Sequence, residues 1–357
     1  MKLSQWIAVG LFTTLPFAAK SDNATITIPL EPGVAGQRGG GSQRLIFKDK
    51  NEASIPFATS SGKLLFKLNG KKITVDSNCD GKIDSADGAA IAAGGKTTVC
   101  IKTHGKKLDY EIRVRYIHQK MAAINGVTIL KGKYNGKDIS VFDSNVNGKF
   151  NDQGKHGSDI ISLGDITKRD ITKQLPISPI FNLDGEMHNL TFADGKAELV
   201  FTPYTGDIAE LTLKSGKEGW FGQMMLTKQD GTFSAVADST RKAQLVPGKY
   251  IVAGGVIYSK GSVGYEKSQG CLFGGGEEVT IKKGGNEFKM GAPFRLDFLA
   301  YKSKRDANQL KIKKVEIIDA GGMKYSAQLY KSQQKSTLKS YIKAGNKKKL
   351  LTTLAYG

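Results

Sequence analysis

The sequence predicts an all-β protein built from two or three antiparallel, β-sandwich-like modules. Apolar and charged side chains alternate from Tyr110 to Tyr116, which is the period of a strand with one buried face. Similar short runs recur along the chain and are separated by Asn-Gly and Asp-Gly pairs, which favour hairpin turns. The chain contains 43 glycines and few long helical patterns. Short strands joined by tight turns are typical of antiparallel sandwiches.

The chain divides into a leader and three predicted modules. Residues 1–19 join one lysine to an apolar run and end in two alanines, the pattern of a secretory signal peptide. Residues 24–164 are predicted to form the first β module, 174–290 a β-sandwich module, and 291–357 a basic C-terminal β module or the last sheet of the second.

Because of the signal-peptide pattern, we expect a secreted or periplasmic protein. No later apolar run approaches the length of roughly 18 residues that spans a bilayer, so no transmembrane segment is expected after cleavage.

The strongest chemical signal is a twelve-residue stretch of the first module, DSNCDGKIDSAD, which we call loop one. Side-chain oxygens stand at its positions 1, 3, 5, 9 and 12, a glycine stands at position 6, and position 7 offers a backbone carbonyl. The predicted ligands are Asp76, Asn78, Asp80, Lys82 through its carbonyl, Asp84 and Asp87. Calcium takes six to eight oxygen ligands and is bound by loops with this spacing. Loop one is therefore a predicted Ca²⁺ site.

A second copy of the pattern strengthens this interpretation. Leu68 to Val75 and Tyr134 to Val141 each run into such a loop, and ten of 17 aligned positions are identical, five before the loop and five within it. We call the second copy loop two. Its predicted ligands are Asp143, Asn145, Asn147, the Lys149 carbonyl and Asn151. Position 12 is Gly154, so the missing carboxylate must come from Asp152 or Asp159.

Both loops resemble EF-hand-like and dockerin-type calcium-binding loops, although the resemblance covers the loops alone. Asp87 stands where glutamate is usual, and its shorter side chain implies a lower affinity. A strand-like sequence precedes loop one and the alanine-rich Ser85–Ala93 follows it, so the predicted unit is strand, loop and short helix. Four carboxylates in loop one, against one certain carboxylate in loop two, predict tighter binding by loop one. The alternative for each loop is a solvated turn.

The three cysteines leave two thiol states open. Cys79 lies at position 4 of loop one, Cys100 lies in the strand-like segment that follows, and Cys271 has no evident partner. In a compartment that permits disulfides, a bridge from Cys79 to Cys100 would tie loop one to its neighbour. The alternative is three reduced thiols.

The charge of the chain bears on its partners. The formal net charge is +20, and the last 57 residues hold 14 Lys and Arg against 3 Asp and Glu. One interpretation of this excess is a surface for an anionic polysaccharide or cell-surface polymer; the other, which the lysine-rich composition of the whole chain favours, is a solvated lysine-rich face. The lysines are spread along strand-like segments and do not form an Arg-rich helix, so no nucleic-acid partner is predicted.

The motifs favour a non-enzymatic function. The sequence contains no HExxH, no nucleophile elbow and no phosphate-binding loop. We therefore expect an exported calcium-binding structural or adhesive protein in which Ca²⁺ rigidifies the N-terminal β module. Two alternatives remain open at this point: a secreted polysaccharide hydrolase or lyase that calcium stabilises, and a polyanion-binding surface protein.

Overall fold

The structure is a computed structural model, and its regular elements are almost entirely strands, which confirms the predicted all-β class. It describes residues 24–35, 41–48, 51–92, 94–103, 106–118, 120–153, 158–164, 174–215, 220–238, 242–259, 270–273, 276–291, 295–302, 310–319, 321–329, 337–344 and 347–355. The predicted signal peptide lies outside these residues. Among them, no helix has the length and apolar character needed to cross a membrane.

The first sixteen strands lie between residues 26 and 203 and form four sheets. They are β1 (Ile26–Pro29), β2 (Glu31–Val34), β3 (Ser42–Ile46), β4 (Glu52–Pro56), β5 (Lys63–Asn69), β6 (Lys72–Val75), β7 (Lys96–Thr103), β8 (Lys106–His118), β9 (Met121–Gly126), β10 (Thr128–Tyr134), β11 (Lys137–Phe142), β12 (Ile160–Leu163), β13 (Gln174–Pro176), β14 (Ile180–Leu183), β15 (Glu186–Phe192) and β16 (Glu198–Pro203). The sheet orders are β1-β16-β15-β14, β13-β12-β11-β10-β2, β3-β9-β8-β7 and β4-β5-β6.

The remaining strands form three further sheets. They are β17 (Ala209–Ser215), β18 (Trp220–Lys228), β19 (Ser234–Asp238), β20 (Ala243–Leu245), β21 (Gly248–Ser259), β22 (Gly270–Phe273), β23 (Glu278–Ile281), β24 (Gly284–Met290), β25 (Arg295–Lys302), β26 (Leu310–Ile318), β27 (Lys324–Leu329), β28 (Thr337–Ala344) and β29 (Lys347–Ala355). The sheet orders are β20-β17-β24, β19-β18-β21-β22-β27-β26-β25 with β23 beside β21, and β28-β29. Named strands pair antiparallel in the described residues except β17 with β24, which run parallel.

The helical segment that follows loop one is shorter than the sequence predicted. Ser85–Asp87 forms a single 3-10 turn, and the predicted helix does not continue towards Ala93. The backbone of Ile91 instead exchanges two hydrogen bonds with Ile73 of β6, of 2.8 and 2.9 Å. Gly88 ends the turn at φ +76°, a conformation that other residues rarely adopt. Pairing with the neighbouring strand therefore overrides the helix propensity of the alanines.

Both predicted loops begin where a strand of a hairpin ends. Loop one follows β6 and loop two follows β11. The aligned residues Ile73 and Val75, and Ile139 and Val141, all lie in the same large hydrophobic core. The residue inserted in the second copy, Phe142, comes after the last aligned core residue and packs in a separate small cluster. The insertion therefore leaves the buried face of the hairpin unchanged.

The first hydrophobic core runs from Ile28 to Phe201 and continues past the predicted boundary between residues 164 and 174. Its outer strand β1 pairs with β16, with Ile26 opposite Phe201. A second core contains residues from Met187 to Met323. The largest sheet extends from β18 to β27, so residues on both sides of the predicted boundary at 290 share it.

The position of Phe201 in the first core gives a direct test. Its side chain is fully buried and its ring packs against those of Phe181 and His188. Phe201→Ala should lower the free energy of unfolding by about 3–5 kcal/mol, because it removes apolar contacts and leaves a cavity. Urea unfolding followed by circular dichroism measures the change, and Ile46→Thr, at a 65% exposed strand position, is the control. Equal midpoints for the two variants would contradict this packing.

Candidate metal centre

Loop one is built around the buried carboxylate of Asp76. Its two oxygens accept hydrogen bonds from the backbone N–H groups of Asp80 and Gly81, each at 3.1 Å. These donors stand at positions 5 and 6 of the loop, so the chain curls around its own first aspartate. Cys79 and Gly81 have φ of +60° and +88°. A glycine at position 6 fits this left-handed backbone without strain.

Loop two repeats this turn residue by residue. The carboxylate of Asp143 accepts from the N–H groups of Asn147 at 3.1 Å and Gly148 at 2.7 Å. Val146 and Gly148 have φ of +56° and +79°. The side chains at position 4 of both loops, Cys79 and Val146, are buried in the first core. The two loops therefore share one backbone design.

A second buried carboxylate closes loop one. Asp87 accepts hydrogen bonds from the backbone of Ser77 and of Asp84, both at 2.9 Å. These bonds join position 12 to positions 2 and 9. The start and the end of loop one are thus held together by one side chain.

Asp159 has the corresponding place in loop two. Its carboxylate accepts from the backbone of Ser144 at 3.0 Å and of Asp152 at 2.9 Å. Between the two residues left open by the sequence, Asp159 therefore corresponds to Asp87, and Asp152 corresponds to Asp84. Gly154, at position 12 by sequence, lies outside the described residues.

The other predicted ligands lie nearer the surface. Asn78, Asp80, Lys82 and Asp84 of loop one are exposed, as are Lys149 and Asn151 of loop two, whereas Asn145, Asn147 and Asp152 are half-buried. The Asp80 carboxylate accepts from the backbone of Lys82, and that of Asp84 from the backbone of Ala86. The amides of Asn145 and Asn147 both donate to Asp152.

The predicted convergence of four carboxylates in loop one is not seen in this conformation. Among the described residues, no three His, Cys, Asp or Glu side chains are grouped so that they could hold a metal ion. The carboxylates of loop one, and Asp143 and Asp159 of loop two, instead accept hydrogen bonds from backbone N–H groups of their own loop, whereas Asp152 accepts from two side-chain amides. The structure brings together the first and last carboxylate of each loop with the backbone between them, and it leaves the middle ligands at the rim.

Four buried carboxylates have no compensating positive charge among the residues that the structure describes. Asp76, Asp87, Asp143 and Asp159 form no ion pair within the described part of the chain. Burial, opposed by backbone hydrogen bonds, raises the pKa of Asp143 to about 6. Burial and the charge of Asp143 raise the pKa of Asp159 to about 8, and burial also raises the pKa of Asp76. Oxygen donors whose negative charges are this costly to bury fit a hard divalent cation.

Tyr110 is a contributor that the sequence interpretation missed. Its hydroxyl crosses the core from β8 and donates to the Asp143 carboxylate at 2.9 Å. The ring lies against Phe57 and Phe150, with centroids 5.4 and 6.0 Å away. The alternating pattern places Tyr110 on the buried face, but no local signal connects it with a loop 33 residues later. A buried tyrosine needs a partner for its hydroxyl, and that requirement is the only clue.

Cys79 and Cys100 are free thiols in the structure, which therefore contains no bridge between them. Cys79 is buried and its Sγ points at the Asp76 carbonyl, 3.7 Å away. Burial and the charge of Asp76 raise the pKa of this thiol to about 11. A thiol held in its neutral form is a poor ligand for a soft metal. Cys271 lies in β22, and its side chain is outside the described part.

Comparison with known proteins adds little to this description. No family model and no curated protein matches the chain. Among solved structures, the chain is similar to the crystal structure of a leucine-rich repeat protein from Bacteroides thetaiotaomicron VPI-5482, with 11% identity and a TM-score of 0.19. The match covers 57% of this chain and 24% of that one, so the chain spans about a quarter of its length. So low a TM-score carries no argument about fold or function.

The raised pKa values predict a pH dependence for the metal-free protein. A carboxyl whose pKa is higher in the folded than in the unfolded state binds extra protons on folding, so stability falls as pH rises through the folded-state value. In chelator, the free energy of unfolding should fall between about pH 4 and pH 8, by about 1.4 kcal/mol per pH unit for each extra proton bound. Asp159→Asn should make the free energy of unfolding depend less on pH between pH 6 and pH 8. Urea unfolding at each pH measures this dependence.

Asp297→Asn, at an exposed site in β25, is the charge-matched control and should leave the slope unchanged. If the slopes of wild type and Asp159→Asn coincide from pH 6 to pH 8, the buried carboxyl does not titrate there.

The hydrogen bond of Tyr110 gives a second prediction. Tyr110→Phe should lower the free energy of unfolding by about 1–3 kcal/mol at pH 8 in chelator, because a buried carboxylate loses a donor. The loss should be smaller at pH 5, where Asp143 is mostly protonated. Tyr116→Phe, on the same strand and half-buried, is the control. A pH-independent loss would show that the hydroxyl does not act on the charge of Asp143.

Proposed function

We propose that this protein is an exported calcium-binding protein in which two loops bind Ca²⁺ and thereby rigidify the N-terminal β region. One observation carries the proposal: loop one and loop two have the same hydrogen-bonded turn, and each closes around two buried carboxylates with no cationic partner among the described residues. A solvated turn would expose such carboxylates rather than bury them.

The donor chemistry favours calcium over other metals. All the predicted donors are carboxylate, amide or carbonyl oxygens, and no histidine is among them. Softer metals prefer imidazole and thiolate, whereas calcium accepts many oxygens in an adaptable geometry. In loop one the holders would be Asp76, Asn78, Asp80, the Lys82 carbonyl, Asp84 and Asp87. In loop two they would be Asp143, Asn145, Asn147, the Lys149 carbonyl, Asn151 or Asp152, and Asp159.

The backbone of each loop already positions the first and last carboxylates of the proposed site. Backbone N–H groups hold the first and last carboxylates, while Asn and Asp side chains at the rim turn inward on binding. The bound ion supplies two positive charges that offset the repulsion between buried carboxylates. Because Cys79, Val146 and Phe150 insert into the first core, ordering a loop also orders the core beneath it. Calcium binding is therefore coupled to the stability of the fold.

The structure of loop two changes the basis for ranking the sites. With Asp152 and Asp159 beside Asp143, loop two has three carboxylates against four in loop one. Loop one remains the predicted tighter site, by a smaller margin in charge. Sites of Kd about 10⁻⁴ to 10⁻³ M are filled outside the cell, where calcium is abundant. A structural or adhesive role at a surface is compatible with such affinities, and no described feature favours the hydrolase alternative.

Calcium-dependent stability tests the proposal. At 10 mM Ca²⁺ each site of Kd about 10⁻⁴ to 10⁻³ M should add about 1.4–2.7 kcal/mol to the free energy of unfolding, because only the folded form binds. Asp76→Asn should remove the larger part of this gain and Asp143→Asn the smaller part. Differential scanning calorimetry with calcium, magnesium or chelator measures it.

The control is Asp297→Asn, which should keep the full calcium shift. A melting temperature that calcium leaves unchanged in the wild-type protein would end the proposal of a structural calcium role.

A further inference from the structure

Both metal loops contact one short connection, residues 57–62, which joins β4 to β5. We call it the bridging segment. In sequence it lies fourteen or more residues before loop one and over eighty before loop two. Nothing in its sequence, FATSSG, suggests a relation to metal binding.

The bridging segment reaches loop one at positions 4 and 6. The Ser60 hydroxyl donates to the carbonyl of Cys79 at 2.7 Å. The side chain of Ser61 faces Gly81 so closely that a Cβ on this glycine would lie 3.3 Å from the Ser61 Cβ. These contacts flank Asp80, the predicted ligand at position 5.

The same segment reaches loop two at positions 5 and 6. The backbone N–H of Ala58 donates to the carbonyl of Asn147 at 2.8 Å. A Cβ on Gly148 would lie 3.1 Å from the Phe57 ring and 3.2 Å from the Ala58 side chain. Both loops therefore contact this six-residue segment through position 6, and each also accepts a hydrogen bond from it, at the carbonyl of position 4 in loop one and of position 5 in loop two.

The bridging segment is held in place from outside the loops. Its Ala58 carbonyl accepts from the backbone of Lys102 in β7 at 2.9 Å. The backbone N–H of Phe57 donates to the carbonyl of Gly62 at 3.1 Å, and the Thr59 hydroxyl donates to the carbonyl of Lys63, the first residue of β5, at 2.8 Å. A movement at one end is thus passed along a hydrogen-bonded turn to the other end rather than absorbed in free chain.

We propose that the bridging segment couples the two loops, so that Ca²⁺ bound in one raises the affinity of the other. This inference rests on the proposed function. Positions 5 and 6 carry the N–H groups that grip the first aspartate, and position 5 is itself a predicted ligand. An ion must order these positions, and through Ser60 or Ala58 it orders the shared segment as well. The second ion then meets a loop that has already lost part of its conformational freedom.

A second contact, made within the core, also connects the bridging segment with loop two. Phe57, at the start of the bridging segment, packs edge-on against Tyr110, whose hydroxyl binds Asp143. The bridging segment is thereby connected to the first ligand of loop two as well as to its turn. Coupling of this kind is reciprocal, so each site must affect the other by the same factor.

Calcium titration of single-loop variants tests the coupling. Isothermal calorimetry should show that Asp143→Asn, a change confined to loop two, weakens the affinity of loop one about fivefold or more. In a Ser60→Ala background, which keeps every predicted ligand, the same substitution should weaken loop one less than about twofold. Ser61→Ala is the matched control, because its hydroxyl bonds within the connection to Lys63 and not to a loop. Asp152→Ala, which leaves the buried Asp143 in place, is a second loop-two variant.

A readout independent of affinity is the backbone amide of Ala58. In Asp143→Asn, calcium should slow hydrogen exchange at this amide although loop two has lost its first ligand. The coupling is overturned if a substitution in one loop leaves the calcium affinity of the other loop unchanged and calcium does not change hydrogen exchange at the Ala58 amide. The proposed function would still stand in that case. If no variant and no wild-type sample takes up calcium at millimolar concentration, the proposed function itself fails, and the coupling with it.

Discussion

The burial of aspartates that form no ion pair among the described residues, beside the first hydrophobic core, is the constraint on which the rest of this region depends. Asp143 and Asp159 are almost completely shielded from water, and the cost appears as pKa values raised to about 6 and 8. Backbone N–H groups and one tyrosine hydroxyl offset part of that cost. A divalent cation would relieve the part of this burial cost that the hydrogen bonds do not offset.

Both turns place a side chain in the first hydrophobic core, although other polar residues of each turn lie at the surface. Position 4 of each loop is buried, in a left-handed conformation that is unusual for Cys79 and Val146. The backbone conformation there is determined by the carboxylate at position 1, which collects the N–H groups that follow. Packing and the proposed calcium binding would therefore involve the same few residues, and both loops lie against the bridging segment.

Several features were within reach of the sequence. Alternation from Tyr110 to Tyr116 predicted the strand β8, and the strand-like sequence before loop one predicted β6. The predicted helix at Ser85–Ala93 was wrong beyond its first turn, because Ile91 pairs with β6. Asp159 could not be chosen over Asp152 from spacing, since Asp159 lies five residues beyond position 12 of loop two in the sequence. The contact of Tyr110 with Asp143 joins two sheets, and neither local pattern records it.

The sequence by itself determined the all-β class, the positions of the two loops and the oxygen donors that each can offer, because side-chain period and turn chemistry are local properties of the chain. Only the tertiary structure decided which carboxylates are buried, that β1 pairs with β16 across the predicted module boundary, and that residues 57–62 lie against both loops. Those relations join residues far apart in sequence, and they arise from burying apolar surface in a common core, for which no short motif is diagnostic.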